Sequence, residues 1–166
     1  MSHSGPDKII SFVGPSDSGK TTLIVKLVAW FRSQGLKAAV LKHSHKTDLG
    51  DEDKDTGKFR RAGAHFVALT APDLLQVSYS FPGEPPLDGV LAALAPQADL
   101  VLVEGYKSSP LPKIALVGRD REEVLPDSSR VVALVSADHL ESALPVFHPD
   151  QVAEIGRFIK QFLGLS

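Results

Sequence analysis

The chain has 166 residues, 43% of them hydrophobic and 23% charged, with no cysteine and a formal net charge of −2 at pH 7. This length and composition are typical of one globular domain and exclude a disordered chain, a disulfide framework and a thiolate zinc site. The weak negative charge gives no attraction to nucleic acid or anionic lipid, so we expect neither partner. The lack of cysteine and of an export signal favours a cytoplasmic location.

Residues 1–7 are polar, and we expect a flexible leader before a single domain that spans residues 8–166. Apolar periodicity then predicts strands that alternate with helices. Strands are expected at Lys8–Val13, Ala38–Leu41, His65–Thr70, Leu74–Ser80, Leu100–Val103, Lys113–Val117 and Val131–Val135. Helices are expected at Thr21–Gln34, Thr56–Gly63, Leu87–Ala95 and Asp150–Leu163.

The strands at 100–103 and 131–135 are apolar at nearly every position, which indicates burial on both faces. Because strands and helices alternate, we predict an α/β fold with a doubly wound, largely parallel sheet and antiparallel additions. Long surface connections are expected at Lys42–Asp55, Phe81–Pro86 and Arg119–Arg130. An apolar stripe of the last helix is expected to pack on the sheet or on a second subunit, and it consists of Val152, Ile155, Ile159 and Phe162.

The turn after the first strand has a P-loop (Walker A) pattern, Gly14-Pro15-Ser16-Asp17-Ser18-Gly19-Lys20-Thr21. Its glycines let the backbone wrap a phosphate, and the start of the next helix adds positive charge. Lys20 is expected to reach the β- and γ-phosphates, Thr21 to ligate Mg²⁺, and Thr22 to contact an inner phosphate. The flanking strand and helix are the context that this motif requires, so the sequence predicts a P-loop NTPase fold that binds a purine nucleoside triphosphate.

Glu104 closes a buried strand, whereas Asp99 precedes the same strand. Ligands of doubly wound sheets lie beyond the carboxyl ends of the strands, so Glu104 is the expected acid beside the metal. Lys20 and Glu104 are accordingly the candidate catalytic residues. Asp55 is the candidate second metal ligand because it stands just before a predicted helix, and the alternative is that it only caps that helix.

The polar stretch after the second strand also holds His43 and His45, which could bind a transition metal or line a substrate pocket. Basic residues cluster in the same region. They could receive a second anionic ligand or form an ordinary solvated face, and they are Lys42, Lys46, Lys58, Arg60 and Arg61.

Several segments together resemble the MobB family, the GTP-binding adapter proteins of molybdopterin-guanine dinucleotide biosynthesis. The P-loop is shared widely, but the order of Leu-Lys-His-x-His, Arg-x-Ala-Gly-Ala and Val-Glu-Gly-aromatic-Lys is far more restrictive. The matching segments are Gly14–Thr22, Val40–His45, Lys54–Thr56 with Arg60–Ala64, and Leu102–Lys107 with Pro112–Ile114.

The resemblance implies a homodimer, Mg²⁺-dependent GTP binding with weak hydrolysis, and partnership with the guanylyltransferase that attaches GMP to molybdopterin. Molybdopterin and its guanine dinucleotide are further candidate ligands. Candidates for a second-ligand or partner surface are His43, His45, Arg60, Arg61, Lys107 and Lys113.

The chain departs from the family pattern in three places. Lys46 follows His45 where the family has a second histidine, Pro-Gly is missing before Lys54, and Ala115 stands where the family commonly has an acid. These departures bear on the polar loop and on Ala115 rather than on the P-loop.

The Asn-Lys-x-Asp signature of many GTPases is absent, so guanine is inferred from the resemblance alone. Asp138 is the candidate acceptor for guanine N1–H and amino groups, with Ser136 assisting, and the alternative is a capping or solvated acid. No glutamine is evident for orienting water, so we expect at most slow GTPase activity. Two other functions stay open: an ATP-dependent ligase or kinase resembling dethiobiotin synthetase, and a nickel metallochaperone GTPase that uses His43 and His45.

Overall fold

The structure is a computed structural model that describes residues 8–44, 50–118 and 130–166. The leader predicted at residues 1–7, the predictions made for His45 and Lys46, and residues 119–129 of the predicted connection Arg119–Arg130 lie outside these ranges. Within them the strands are β1 (Ile9–Val13), β2 (Ala38–Lys42), β3 (Phe66–Ala71), β4 (Leu74–Tyr79), β5 (Leu100–Glu104), β6 (Lys113–Leu116), β7 (Val131–Val135) and β8 (Val146–Phe147). The α-helices are α1 (Lys20–Ser33), α2 (Asp55–Arg61), α3 (Leu87–Leu94) and α4 (Val152–Phe162), and a 3₁₀ turn covers Ala95–Gln97.

Six strands form a parallel sheet in the order β2-β5-β1-β6-β7-β8, and β3 pairs with β4 in a separate antiparallel sheet. The predicted α/β class with a largely parallel sheet and antiparallel additions is therefore confirmed. Each predicted strand and helix is present, with ends that differ by at most two residues. Strand β8 and the 3₁₀ turn are additions to the predicted elements, and a strand of two residues has no period by which its sequence could show it.

The described residues fall into two compact units. The first runs up to His43 and resumes at Leu91, and the second is Ser44–Val90, so the division falls within α3. The first unit holds the six-stranded sheet, and the second holds α2 and the β3–β4 hairpin. In the part of the chain that the structure describes, no helix has the length and apolar character needed to cross a membrane.

One face of the large sheet is covered by α1 and α4. Ile155 and Ile159 of α4 are fully buried there against the inward-facing residues of the strands, as expected for the predicted apolar stripe. Phe162, the last residue of that stripe, is 45% exposed. The two helices approach closely at Gly156, where an added Cβ would lie 2.3 Å from the Trp30 ring. The opposite face of β1, β6 and β7 has its own apolar cluster, which consists of Val13, Ala115, Val131 and Leu134. Burial on both faces explains why these strands are apolar at nearly every position.

In the second unit, Asp51 organises the start of α2. Its carboxylate accepts hydrogen bonds from Thr56 and Arg60, and the Lys54 N–H donates to the Asp51 carbonyl at 2.9 Å. Asp55 is the first residue of the helix, and the capping position belongs to Lys54, which makes no side-chain cap. The alternative that Asp55 caps this helix is therefore wrong. Its carboxylate instead pairs with Lys58 at 3.1 Å, one turn on.

Candidate nucleotide site

The loop between β1 and α1 has a backbone that its sequence makes possible. Gly14 and Gly19 have φ angles of 151° and 87°, and Asp17 adopts 58°, a left-handed conformation that aspartate tolerates better than most residues. Gly14 is also pressed against the neighbouring strand, since an added Cβ would lie 2.5 Å from the Leu116 carbonyl oxygen. Helix α1 then begins without a side-chain cap and without an acid in its first turn. Its first N–H groups and its dipole therefore favour an anion at this end.

The Lys20 ammonium lies over this loop. It donates hydrogen bonds to the carbonyl oxygens of Gly14, at 3.1 Å, and Pro15, and it lies 3.4 Å from the Ser18 hydroxyl. Burial lowers the pKa of Lys20; Glu104 opposes the shift, and the positive charges of Lys107 and Lys42 reinforce it. Several cations thus converge on one small region, which is the electrostatic arrangement that a polyphosphate neutralises.

Thr21 lies in the first turn of α1, directly after the P-loop, and contacts Glu104, the last residue of β5. The Thr21 hydroxyl lies 3.0 Å and 2.9 Å from the two carboxylate oxygens of Glu104, which is buried at 8% exposure. Asp99 lies at the other end of β5, where its carboxylate accepts a hydrogen bond from the Lys37 backbone N–H at 2.7 Å. The sheet therefore presents Glu104, rather than Asp99, beside the P-loop.

Lys42 completes this cluster from the neighbouring strand β2. In the parallel β2–β5 register Lys42 is the partner of Glu104. Its ammonium lies 3.2 Å from a Glu104 carboxylate oxygen and 3.3 Å from the Thr21 hydroxyl. From the sequence, Lys42 belongs only to a general basic cluster, because the pairing of β2 with β5 cannot be known before the strand order is known.

The oxygen atoms of Thr21 and Glu104 fit a magnesium ion. A hydroxyl and a carboxylate are hard oxygen donors, and neighbouring ligands in an octahedron with bonds of about 2.0–2.1 Å lie about 2.9 Å apart. The spacing of 2.9–3.0 Å between these side chains is compatible with that geometry. A cationic group, the Lys42 ammonium, already contacts the same oxygens, which shows that the position attracts positive charge.

The turn after Glu104 is fixed by unusual backbone conformations. Gly105 and Tyr106 have φ angles of 102° and 55°, and the Ser11 hydroxyl donates to the Gly105 carbonyl at 2.7 Å. The Tyr106 ring stacks on His43 with 4.5 Å between ring centres. The turn thus holds the ends of β2 and β5 together and brings Lys107 close enough to act on the charge of Lys20.

Lys113 does not lie on a partner surface. It is 1% exposed, and its ammonium donates to the carbonyl oxygens of Ser109 and Leu111. Its burial does not fit the partner-surface alternative, and the prediction that it contacts a second ligand stays a prediction. Its place is structural, since it ties the segment after Lys107 to the beginning of β6.

A cleft of about 530 Å³ lies beside the P-loop at the ends of β6 and β7. Its apolar walls and its backbone groups suit a flat ring, and it is lined by Pro15, Ser16, Asp17, Ser18, Leu116, Val117, Gly118, Val135, Ala137 and Pro149. Asp138 directly follows one lining residue and is exposed, and its N–H lies 3.2 Å from the hydroxyl of Ser136. The candidate base-reading residues therefore border this cleft.

The remaining candidate residues are not gathered at this site by the described contacts. Asp55, Arg60 and Arg61 belong to the second unit, where Arg60 pairs with Asp51, so their roles at a ligand stay predictions. His43 is stacked on Tyr106, and His45 lies outside the described residues. Among residues 8–44, 50–118 and 130–166, no group of three or more histidine or acidic side chains is arranged to hold a metal ion.

A parallel sheet whose first strand leads through a glycine loop into a helix, with a lysine and a threonine opening that helix, defines the P-loop class of α/β proteins. Within that class, residues 9–137 match the family model of MobB, molybdopterin guanine dinucleotide synthesis protein B. The chain belongs to the MobB family.

Relatives along the whole chain agree with this assignment. The molybdopterin-guanine dinucleotide biosynthesis adapter protein of Haemophilus influenzae is 32% identical over 162 residues, which cover 93% of this chain and 89% of the relative. The probable adapter protein of Bacillus subtilis is 27% identical over 173 residues, covering 97% and 96% of the two chains. The crystal structure of a MobB homolog from Bacillus stearothermophilus superimposes with a TM-score of 0.73 at 30% identity, covering 95% of this chain and 98% of that one.

Proposed function

We propose that this protein is a Mg²⁺-dependent GTP-binding adapter of molybdopterin-guanine dinucleotide biosynthesis, which assists the guanylyltransferase of that pathway. The observation that carries the nucleotide part is the meeting of Thr21 and Glu104 at the mouth of a P-loop. The pathway part is supported by family membership and by the names of the relatives.

Each part of the site has a task in holding a triphosphate. The N terminus of α1 and the loop N–H groups receive phosphate oxygens, and the Lys20 ammonium turns from the loop carbonyls to the outer phosphates. Thr21 and Glu104 would hold Mg²⁺, which when bound neutralises charge on the phosphate oxygens. The cleft of about 530 Å³ beside the loop takes the base and ribose.

Guanine selection is assigned to Asp138. Its exposed carboxylate at the edge of the cleft would accept hydrogen bonds from N1–H and the amino group of guanine, which adenine cannot supply. An Asp138→Asn variant should therefore lose preference for GTP over ATP, while Lys20→Ala should lose both nucleotides. A preference that survives in Asp138→Asn would move base selection to the backbone of the cleft.

Slow turnover is expected at this site. Among the described residues that line the loop, the metal position and the cleft, none is a glutamine that could orient a water molecule for attack. Lys20 and Mg²⁺ stabilise phosphate charge whether or not hydrolysis follows. The protein would then use GTP as a bound ligand, and the partner enzyme would carry out the transfer chemistry.

A homodimer formed through the β3–β4 hairpin is part of this proposal. Leu74 and Leu75 of β4 are each 63% exposed, and Phe66 of β3 is 57% exposed, so both faces of the two-stranded sheet present apolar side chains. A hairpin of two strands is marginally stable alone, and a second copy would supply matching edges and apolar faces. Leu75→Glu should convert a dimer into monomers in sedimentation analysis, and a monomeric wild-type protein would remove this part of the proposal.

The function as a whole is tested by reconstitution with purified guanylyltransferase, molybdopterin and GTP. Wild-type protein should increase formation of the guanine dinucleotide, and Lys20→Ala should not. Phosphate release without the partner should be slow and independent of any added small molecule. Rapid release that requires an added carboxylic acid or alcohol would instead identify a ligase or kinase of the dethiobiotin synthetase type.

A further inference from the structure

The two partners of the Lys42–Glu104 ion pair differ in how far their side chains are exposed to water, and this difference bears on the metal position. The Glu104 side chain is 11% exposed, whereas the Lys42 side chain is 57% exposed. Glu104 is also held by the Thr21 hydroxyl, through both of its carboxylate oxygens. Lys42 is thus the partner that can leave, because its ammonium regains water when it moves while the carboxylate stays fixed in the fold.

Lys42 contacts the same atoms that would hold a divalent cation. Its ammonium lies 3.2 Å from Glu104 Oε1 and 3.3 Å from Thr21 Oγ1. An ammonium and a magnesium ion beside the same two oxygens would repel each other, because both are positively charged and lie only a few ångströms apart. Contact of the Lys42 ammonium with these oxygens therefore opposes binding of the metal ion there.

We propose that Lys42 is a removable counter-ion of the metal position, which neutralises Glu104 until a divalent cation displaces it. The inference rests on the proposed function, since it concerns the same magnesium site. Its consequence is that the free ion binds weakly, because it must first displace a cation that is already in place. The protein therefore discriminates against free divalent cations and favours one that arrives with a nucleotide.

A triphosphate removes this obstacle, because it gives the displaced ammonium a new anionic partner. Lys42 is near enough to Lys20 for their positive charges to act on each other. The Lys42 ammonium also contacts the hydroxyl of Thr21, the residue after Lys20, so phosphate oxygens bound there would lie within reach of its side chain. Nucleotide and metal ion should strengthen each other's binding, as reciprocal linkage requires.

The test measures binding of Mn²⁺, which takes the same hard oxygen ligands as Mg²⁺ and is detected in its free form by electron paramagnetic resonance. Wild-type protein, Lys42→Met and Lys42→Arg are titrated without nucleotide and then with saturating GTP. Lys26→Met is the matched control. Lys26 is an exposed lysine of α1 whose ion pair, at 3.3 Å, is with Asp150 rather than with Glu104. Urea unfolding of each variant shows whether the fold is retained.

Without nucleotide, Lys42→Met should bind Mn²⁺ roughly tenfold tighter than wild type, because the variant lacks one competing positive charge at a partly exposed position. The gain from added GTP should shrink in this variant, whereas Lys42→Arg and Lys26→Met should behave as wild type. Adding Glu104→Gln to Lys42→Met should abolish the gain. If Lys42 only stabilised the fold, the Lys42→Met substitution would not tighten Mn²⁺ binding.

Unchanged or weaker Mn²⁺ binding in Lys42→Met overturns the inference. If wild type still binds GTP with Mn²⁺ in that case, the proposed function stands and only the role of Lys42 falls. If wild type fails to bind GTP at any Mn²⁺ concentration, the proposed function falls, and the titration without nucleotide still decides whether Lys42 competes with the metal ion.

Discussion

Replacing Gly14 with alanine tests whether the P-loop depends on close backbone packing. An alanine Cβ at this position would lie 2.5 Å from the Leu116 carbonyl oxygen, at a φ angle of 151°. Leu116 lies in β6, which is paired on both sides with β1 and β7, so the strand cannot yield. The loop must therefore open, at a cost of about 1–3 kcal/mol by analogy with overpacked cores.

That cost should appear in nucleotide binding, because the loop has to return to its compact form around the phosphates. A cost of about 1–3 kcal/mol corresponds to a loss of about 5- to 150-fold in affinity. Gly19→Ala should lose less, since its φ of 87° is unfavourable but nothing lies within 4 Å of the added Cβ. Its backbone cost is about 1–2 kcal/mol.

Calorimetric titration with GTP and Mg²⁺ measures the three affinities. Gly89→Ala in α3 is the control, because its Cβ would make an ordinary contact of 3.5 Å with Pro86, the residue before the helix, and both affinity and fold should be retained. An affinity of Gly14→Ala within twofold of wild type would refute the packing argument. A larger loss in Gly19→Ala than in Gly14→Ala would show that backbone strain, rather than contact with β6, decides the loop's shape.

Three further substitutions separate the roles of other residues. Glu104→Gln should lower GTP affinity roughly tenfold in Mg²⁺, the scale of changes at metal sites, and leave affinity in EDTA unchanged; equal losses in both titrations would contradict a metal role. Gly156→Ala should destabilise the fold by about 1–3 kcal/mol in urea unfolding, because its Cβ would lie 2.3 Å from the Trp30 ring, and an unchanged midpoint would show that α1 and α4 can separate at no cost. Lys113→Met should cost about 1–3 kcal/mol by leaving the carbonyls of Ser109 and Leu111 without their donor; a more stable variant would mean that removing the buried charge outweighs those bonds.

Much of the candidate nucleotide site could be predicted because its parts are close together in sequence. The run from Gly14 to Thr22 contains its own turn chemistry and the start of α1. The choice of Glu104 over Asp99 needed only the direction of a buried strand, since ligands lie beyond carboxyl ends. The alternation of strands and helices likewise predicted the α/β class, because each buried strand needs cover on both faces.

Other features depend on contacts between distant residues. Lys42 meets Glu104 only because β2 pairs with β5, and no local pattern in the sequence states that order. Lys113 is a candidate for a second-ligand or partner surface through the family resemblance alone, and its burial on carbonyl oxygens of the preceding turn has no local signal in the sequence. Asp55 was placed one residue outside α2, a typical error at helix ends.

The most direct test of the account is one competition titration of GTP against ATP, with Mg²⁺ and with EDTA, on wild type and Lys20→Ala. The account predicts that wild type binds GTP more tightly than ATP, that EDTA weakens this binding, and that Lys20→Ala binds neither nucleotide. Unchanged GTP affinity in Lys20→Ala would contradict the assignment of the Gly14–Thr22 loop as the phosphate site.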